Sequence, residues 1–309
     1  MIDYEDLNRR YAIDESLDVL PGPADEPVVM IRSEHGKACV SLHGAQVLDF
    51  TPTGSRPVLW LSDQASYRDG VAIRGGMPIC WPWFGPHPDD SSLPSHGLVR
   101  QRRWQLCGSA ELDDGVVECR FCLNDDAASR ESWPHAFELQ FIVRIGQYVD
   151  CELRMRNTSE DTVTCSAALH AYIAISEAED VRVRGLHGRR YLDQVTGTTG
   201  TQKHAIIFDG ETDRIYQDTD DIVYVDDPGY GRTVVVAKSG SRSTVVWNPW
   251  IEKTRALADV PDDAYHRFCC IEPANAAADA RSLAAGAQHR LRCLIGAEPY
   301  GFSIEDLRE

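Results

Sequence analysis

The sequence predicts an all-β protein: one large antiparallel β-sandwich with few short helices, occupying residues 1–309 as a single domain. Short runs of β-branched and aromatic residues follow one another along the chain, with turn residues between them. Helical periodicity is scarce, and no strand–helix–strand alternation separates the runs. That order of elements argues against a parallel nucleotide-binding sheet.

The predicted strands can be read off in chain order. They are PVVMIRS, KACVSLHG, AQVLDFTP, PVLWLS, WQLCGSAEL, GVVECRFCL, FELQFIVRIGQYVDCELRMRN, TVTCSAALHAYIAI, TVVVAKSG, STVVWN, HRFCCIEP and HRLRCLIG. In FELQFIVRIG, apolar residues such as Phe137, Leu139 and Phe141 alternate with polar ones, which is the period of a half-buried strand. DDG and RNTSEDT predict hairpin turns. The helical signals are LNRRYAI near the start and a turn around ALADV.

Charge and composition exclude several classes of partner. The net charge of -17 argues against nucleic acid or an anionic membrane as the main partner. No apolar run approaches the roughly 20 residues that cross a bilayer, and the acidic N-terminal stretch lacks the pattern of a signal peptide. We therefore expect a cytoplasmic protein. We also expect it to be a monomer.

The ten cysteines lie mostly inside apolar runs, for example Cys165 and Cys293. Buried reduced cysteine behaves as a small hydrophobe, which fits a cytoplasmic protein. In a strand, the cysteines of CRFC point to opposite faces, and so do the neighbours Cys269 and Cys270. Neither pair is interpreted as a metal or redox site.

Residues 74–104, RGGMPICWPWFGPHPDDSSLPSHGLVRQRRW, are too rich in Pro and Gly for a helix or a central strand. Burial of Trp81, Trp83 and Phe84 would order this loop. Ordered aromatic loops that carry His and Arg are typical of sites for small polar ligands, although a packed structural loop has the same composition. Trp81 and Trp83 either offer flat faces to a sugar or belong to the core.

Two residues are candidates for acid/base chemistry. His170 shares one strand face with Ala168 and Tyr172, which indicates open space above that face; the alternative is a core histidine bonded to a carbonyl. Glu272 ends an apolar run, where it is either a paired structural charge or a carboxylate whose pKa burial raises toward that of a general base.

The remaining candidates are polar residues around the loop. Arg74 and Arg100 offer planar donors that match phosphate or carboxylate oxygens, although each could simply cover the sheet with its stem. Asp213 and its neighbour Arg214 have ion pairing or capping as their default role. His43 is expected to support the backbone and His87 to lie on the loop surface.

The sequence holds no nucleophile elbow, phosphate-binding loop or HExxH motif, and its histidines lack metal-ligand spacing. Acid/base chemistry without a nucleophile, metal or cofactor remains.

Several blocks resemble, in the same order, the D-hexose-6-phosphate mutarotases of the aldose 1-epimerase (galactose mutarotase-like) superfamily. The blocks are RGGMPICWPWFG, LPSHGLVRQRRW, LHAYIAI, VRGLHGRRYLDQ, ETDRIY, VVWNPW and CCIEPAN. They run from about Arg74 to about Asn275. The resemblance implies a large antiparallel β-sandwich, in agreement with the strand pattern.

The resemblance also implies an activity and its residues. The activity is interconversion of the α and β anomers of a hexose 6-phosphate, with His170 as acid and Glu272 as base. Arg74 and Arg100 are then the phosphate-binding pair, while His96 and Asp213 contact the sugar. Ser95 stands where some relatives have glutamine, which puts fine substrate preference in doubt. A mutarotase for non-phosphorylated aldoses and a non-catalytic sugar-binding module are the alternatives.

Overall fold

The structure, a computed structural model, describes residues 2–304, which form 22 β-strands and three short α-helices. The helices are α1 Tyr4–Tyr11, α2 Ala127–Ser132 and α3 Trp250–Arg255. The ends of the predicted single domain, residue 1 and residues 305–309, lie outside this description. Within residues 2–304, no helix is long and apolar enough to cross a membrane.

The strands are, in chain order, β1 Leu17–Pro21, β2 Pro27–Ser33, β3 Gly36–Ser41, β4 Val47–Pro52, β5 Ile79–Cys80, β6 Gln105–Glu111, β7 Val117–Asn124, β8 Phe137–Ile145, β9 Val149–Asn157, β10 Val163–Cys165, β11 Ala167–Leu169, β12 Ala171–Ala174, β13 Arg182–Arg184, β14 Arg190–Asp193, β15 Thr199–Thr201, β16 Thr212–Gln217, β17 Val223–Asp227, β18 Arg232–Ser239, β19 Ser243–Asn248, β20 Phe268–Asn275, β21 Arg281–Leu283 and β22 Gln288–Pro299. Every pairing between these strands is antiparallel.

Two eight-stranded sheets form the body of the molecule. The back sheet has the order β13-β17-β18-β22-β9-β8-β7-β6. The site sheet has the order β15-β14-β16-β19-β20-β11-β5, with β12 also paired to β20. Strands β1 to β4 form a smaller sheet, and β10 pairs with β21. The predicted antiparallel sandwich is confirmed.

One hydrophobic core joins the two large sheets. It contains Phe141 and Leu153 of the back sheet together with Leu169, Ile173 and Ile271 of the site sheet, all fully buried. The alternation expected around His170 is confirmed, because Leu169, Ala171 and Ile173 face this core while Ala168 and Tyr172 belong to clusters on the opposite face. That opposite face of the site sheet carries the candidate residues.

Two local expectations need correction, and one helix was not predicted. RNTSEDT is not a hairpin turn, since β9 pairs within the back sheet while β10 pairs with β21. PVLWLS forms isolated bridges, Leu59 with Ile173 and Leu61 with Gly75, instead of a strand. Helix α2 was not predicted; it begins at a capping box in which Asp126 accepts from the Ser129 backbone and Ser129 accepts in return.

The cysteines depart from the expectation at one pair. Cys107 and Cys122 form a disulfide between β6 and β7, with Cα atoms 6.1 Å apart. The register of these strands shifts between Leu106 and Gly108, so Cys107 is the extra residue of a bulge. The other eight cysteines are free, and seven of them are buried.

Candidate active site

His170 and Glu272 meet on the site sheet. His170 Nε2 lies 3.4 Å from Glu272 Oε1, and the side chains are 8% and 1% exposed. His170 lies between β11 and β12, where its backbone N–H donates to the Pro78 carbonyl at 3.0 Å. Glu272 is on β20, opposite Val245 of β19. Adjacent strands of one sheet therefore bring together two residues that are far apart in sequence.

Each member of the pair keeps one polar atom without a protein partner. His170 Nδ1 and Glu272 Oε2 are buried and form no hydrogen bond with the described residues. Buried polar atoms are normally satisfied, so exceptions call for a reason. Binding of a polar substrate by these two atoms would be such a reason.

Burial sets the proton balance of the pair. It raises the pKa of Glu272 well above its usual value, and the nearby Asp213 carboxylate raises it further. Burial likewise lowers the pKa of His170, with His96, Arg100 and Arg74 acting in the same direction. Desolvation therefore favours one proton on the pair, because either fewer or more protons leave a net buried charge there. The two shifts favour Glu272 as the residue that carries this proton.

The SHG turn places His96 beside this pair. Its ring centroid lies 5.6 Å from that of His170. The residue has a left-handed backbone, φ 65°, and a Cβ on Gly97 would lie only 2.0 Å from the Trp81 carbonyl oxygen, so only glycine fits there. Burial, then Arg100 and Arg74, lowers the pKa of His96 to about 3. Its Nδ1 accepts from the Gly85 N–H at 3.3 Å, which leaves Nε2 as the donor of a neutral imidazole.

Arg74 lies next to the pair and already has two partners. Its Nε donates to both carboxylate oxygens of Asp259, at 3.2 and 3.1 Å, and its Nη1 donates to the Tyr172 hydroxyl at 3.1 Å. The Tyr172 phenol and the Asp259 carboxylate raise the pKa of Arg74. The remaining nitrogen, Nη2, forms no hydrogen bond within residues 2–304.

Arg100 also lies near the pair. Its Nη2 donates to the Ser95 carbonyl at 2.7 Å, and its buried Nε has no partner in the described structure. Its positive charge acts on His96, His170 and Glu272. Ser95 thus accepts from Arg100 through its backbone carbonyl, and its side chain forms no hydrogen bond within the part of the chain that the structure describes.

Asp213 completes the polar side chains of this face. Gln194 donates to Asp213 Oδ1 at 2.6 Å. Burial raises the pKa of Asp213. The ion pair expected near it exists, but Arg214 pairs with Asp193, at 3.3 Å, instead of with its neighbour. The sequence analysis did not identify Asp259 and Gln194. The only signal of Asp259 was its place in a turn motif, and the only signal of Gln194 was its position next to an aspartate.

Trp81 occupies the core. It is 2% exposed, and its ring centroid lies 4.7 Å from Trp133 and 4.6 Å from Phe137. This position agrees with the core alternative for Trp81, not with a flat face offered to a sugar. His43 bonds the Val71 carbonyl at 2.7 Å, as expected for backbone support.

A metal ion would find three ligand types at this site. One ligand atom each from His170, Cys270 and Glu272 lies within 4.8 Å of the other two, and all three residues are buried. Nitrogen, sulfur and oxygen donors suit zinc. The acid/base chemistry of the pair does not need such an ion.

Comparison with known proteins gives the same family as the blocks in the sequence. Residues 27–296 match the aldose 1-epimerase family. A Salmonella typhimurium protein named "Putative glucose-6-phosphate 1-epimerase" is 35% identical over 260 residues, 82% of this chain and 85% of that protein.

Two solved structures share the fold. A crystal structure of a mutarotase, described as putative, from Salmonella typhimurium superposes with a TM-score of 0.86 at 31% identity, over 94% of this chain and 96% of that one. A galactose mutarotase-like protein from Clostridium acetobutylicum has a TM-score of 0.69 at 12% identity, over 93% and 100% of the two chains, which shows the fold alone. The chain belongs to the aldose 1-epimerase family and is an epimerase, a sugar isomerase.

Proposed function

We propose that the protein interconverts the α and β anomers of hexose 6-phosphates. The observation that carries this proposal is the buried pair of His170 and Glu272, 3.4 Å apart, with a free polar atom on each residue. Ring opening needs a base for the O1 proton of the hemiacetal and an acid for the ring oxygen O5. A pair that holds one proton can remove one and supply one.

The reacting form of the pair has its one proton on His170, so the bound sugar has to favour this form over the one with the proton on Glu272, which burial alone favours. In the forward direction Glu272, as carboxylate, takes the proton from O1, and protonated His170 gives its proton to O5. The C1–O5 bond breaks and an open aldehyde forms. Rotation about C1–C2 presents the other face of the carbonyl, and the reverse proton transfers close the ring. The pair ends with the protonation it began with, so neither a covalent intermediate nor a cofactor is required.

The groups around the pair support positioning of a phosphorylated sugar. His96 offers an Nε2 donor and Asp213 a carboxylate for hydroxyl groups. Arg100 Nε is buried without a partner among the described residues, and Arg74 Nη2 forms no hydrogen bond within residues 2–304. Guanidinium groups bind phosphate oxygens well. The phosphorylated hexose is thus the proposed substrate, and a cytoplasmic monomer remains our prediction for the protein that binds it.

One observation favours the alternative substrate, a non-phosphorylated aldose. Arg74 already has Asp259 as a counter-ion, which weakens its attraction for a second anion. The two substrates differ only in the phosphate, so a panel of hexoses with and without 6-phosphate separates them.

The test is anomer exchange of freshly dissolved α-glucose 6-phosphate, followed by polarimetry or NMR exchange spectroscopy. We expect relaxation faster than the spontaneous rate. An unchanged rate at ample protein across several hexose 6-phosphates and free hexoses would leave the sugar-binding module as the better description. The Glu272→Gln protein is the matched control for effects of binding alone.

A further inference from the structure

We propose that Tyr172 is a positioning residue that links the arginine of the phosphate site to the acid His170, so that the bound 6-phosphate increases the rate of ring opening as well as affinity. The inference rests on the proposed function, since it assumes that Arg74 receives the phosphate. It adds a role for a residue that touches neither the reacting atoms nor, through its ring, the phosphate.

Tyr172 contacts both groups at once. Its hydroxyl accepts a hydrogen bond from Arg74 Nη1 at 3.1 Å. Its ring lies nearly parallel to the His170 imidazole, with centroids 4.8 Å apart and planes 11° apart. His170 and Tyr172 are two positions apart on one extended segment, so both side chains project from the same face of the sheet.

The stacking on Tyr172 takes the place of a hydrogen bond in orienting His170. A catalytic histidine is usually held in its plane by a partner on its second ring nitrogen. His170 Nδ1 has no hydrogen bond to the described residues, and its Nε2 faces Glu272 Oε1 at 3.4 Å, longer than a close hydrogen bond. The ring contacts with Tyr172, His96 and Trp247 therefore set the plane of the imidazole, and Tyr172 is the one of these rings that lies parallel to it.

The Tyr172 side chain is tightly packed by aromatic rings. The residue is 2% exposed, and its ring contacts Phe268 at 5.2 Å, Trp60 at 5.9 Å and Trp247 at 6.0 Å between centroids. A ring packed on several sides has little freedom except in its own plane, along which its hydroxyl meets Arg74. A shift of that hydroxyl therefore also shifts the Tyr172 ring against the His170 imidazole.

Arg74 can respond to an anion at one edge only. Asp259 holds Nε and Tyr172 holds Nη1, so Nη2 is the nitrogen left for a phosphate oxygen. Asp259 is itself anchored, because its carbonyl accepts from Ser62 Oγ at 2.7 Å. An anion on Nη2 would fix the guanidinium plane, and with it the hydrogen bond to Tyr172. Binding energy from a remote part of the substrate is then used at the reacting centre.

The experiment separates the phosphate from the sugar. Anomer exchange of free glucose is measured with and without phosphite dianion, which occupies the phosphate site but cannot react. We expect phosphite to accelerate the wild-type protein by about 3- to 10-fold, the effect of one net hydrogen bond. Tyr172→Phe keeps the ring and removes the hydroxyl. It should lose this activation, and its kcat for glucose 6-phosphate should fall by a similar factor beyond any loss in the exchange of free glucose without phosphite.

Tyr216→Phe is the matched control. Tyr216 is a buried tyrosine of the same sheet whose hydroxyl donates to Gln202 at 2.7 Å, and this variant should keep the phosphite activation. Activation of Tyr172→Phe equal to that of the wild type would overturn the inference, as would wild-type exchange of glucose that phosphite leaves unchanged.

A second readout does not depend on activity. The NMR resonances of the His170 imidazole should shift when phosphite is added to the wild type and shift clearly less in Tyr172→Phe, where only the through-space effect of the anion remains. If no sugar is exchanged at all but these shifts appear, the proposed function fails while the link between the two residues stands. Equal shifts in both proteins, or none in either, would contradict the link.

Discussion

The two eight-stranded sheets share antiparallel pairing and a common core, but they differ in how their other faces hold charge. On the back sheet, Glu118 accepts from Arg120 at 2.6 Å and from Arg144 at 2.7 Å, and Asp150 accepts from Arg292 through two hydrogen bonds of 2.6 Å. On the site sheet, Glu272 Oε2 and His170 Nδ1 are buried without partners. The carboxylates of the back sheet are fully paired with arginine, whereas the His170–Glu272 pair of the site sheet keeps one unpartnered polar atom on each residue.

This difference between the sheets indicates which buried charged groups of a β-sandwich are functional. Buried carboxylates occur on both sheets, so burial alone does not separate structural groups from chemical ones. Partners do separate them: the carboxylates of the back sheet are satisfied by arginine, whereas the pair on the site sheet has donor and acceptor capacity to spare. The comparison predicts opposite responses when a carboxylate on each sheet is replaced.

Glu272→Gln should give the largest effect. The amide cannot take the O1 proton, so we expect kcat for anomer exchange to fall by about 100- to 10,000-fold. Stability should hold or rise, because burial raises the pKa of Glu272 and an ionised carboxylate there opposes folding above its unfolded pKa. The measurements are NMR exchange rates and the free energy of unfolding in urea. Full activity in this variant would move the base elsewhere.

The pH dependence of exchange follows from the shared proton. The pair needs one proton, so activity falls when a second proton binds at low pH and when the last leaves at high pH. Burial lowers the pKa of His170 and raises that of Glu272, so the acid limb lies below 6.5 and the alkaline limb above 4.5. We expect kcat/KM, after the spontaneous rate is subtracted, to fall at both the acid and the alkaline end of its pH profile. A rate that only rises with pH would speak against the pair.

Arg74→Ala and Arg100→Ala test the phosphate side of the site sheet. Each should reduce kcat/KM for glucose 6-phosphate by about 10- to 100-fold, the value of about 1.5 to 3 kcal/mol for a hydrogen bond to a charged group. Free glucose should be affected far less. Arg190→Ala, an exposed arginine of β14 on the same sheet, is the control and should leave both substrates unchanged. Equal losses on both sugars would remove the phosphate clamp.

The features of the two sheets that could be predicted from the sequence are those that depend on the local pattern of apolar and polar residues. Alternation placed His170 and Tyr172 on one strand face, and the end of an apolar run marked Glu272. The pairing of Arg74 with Asp259 spans 185 positions and has no local signal. The disulfide depends on a bulge at Cys107 that shifts the register, and strand runs do not show such shifts. The partners of the back-sheet charges likewise require the strand order.

Glu118→Gln should have the smallest effect on activity and a measurable one on stability. Glu118 is 4% exposed and holds two arginines, so loss of its charge leaves those arginines without their shared carboxylate. We expect the free energy of unfolding to fall by about 1 to 3 kcal/mol, with activity per folded molecule unchanged. Glu138→Gln is the matched control, because its pair with Arg156 is 52% exposed on both sides and should be worth under about 1 kcal/mol. If Glu118→Gln left stability intact and reduced exchange, the back sheet would also take part in the chemistry, and paired charge would no longer distinguish the two faces.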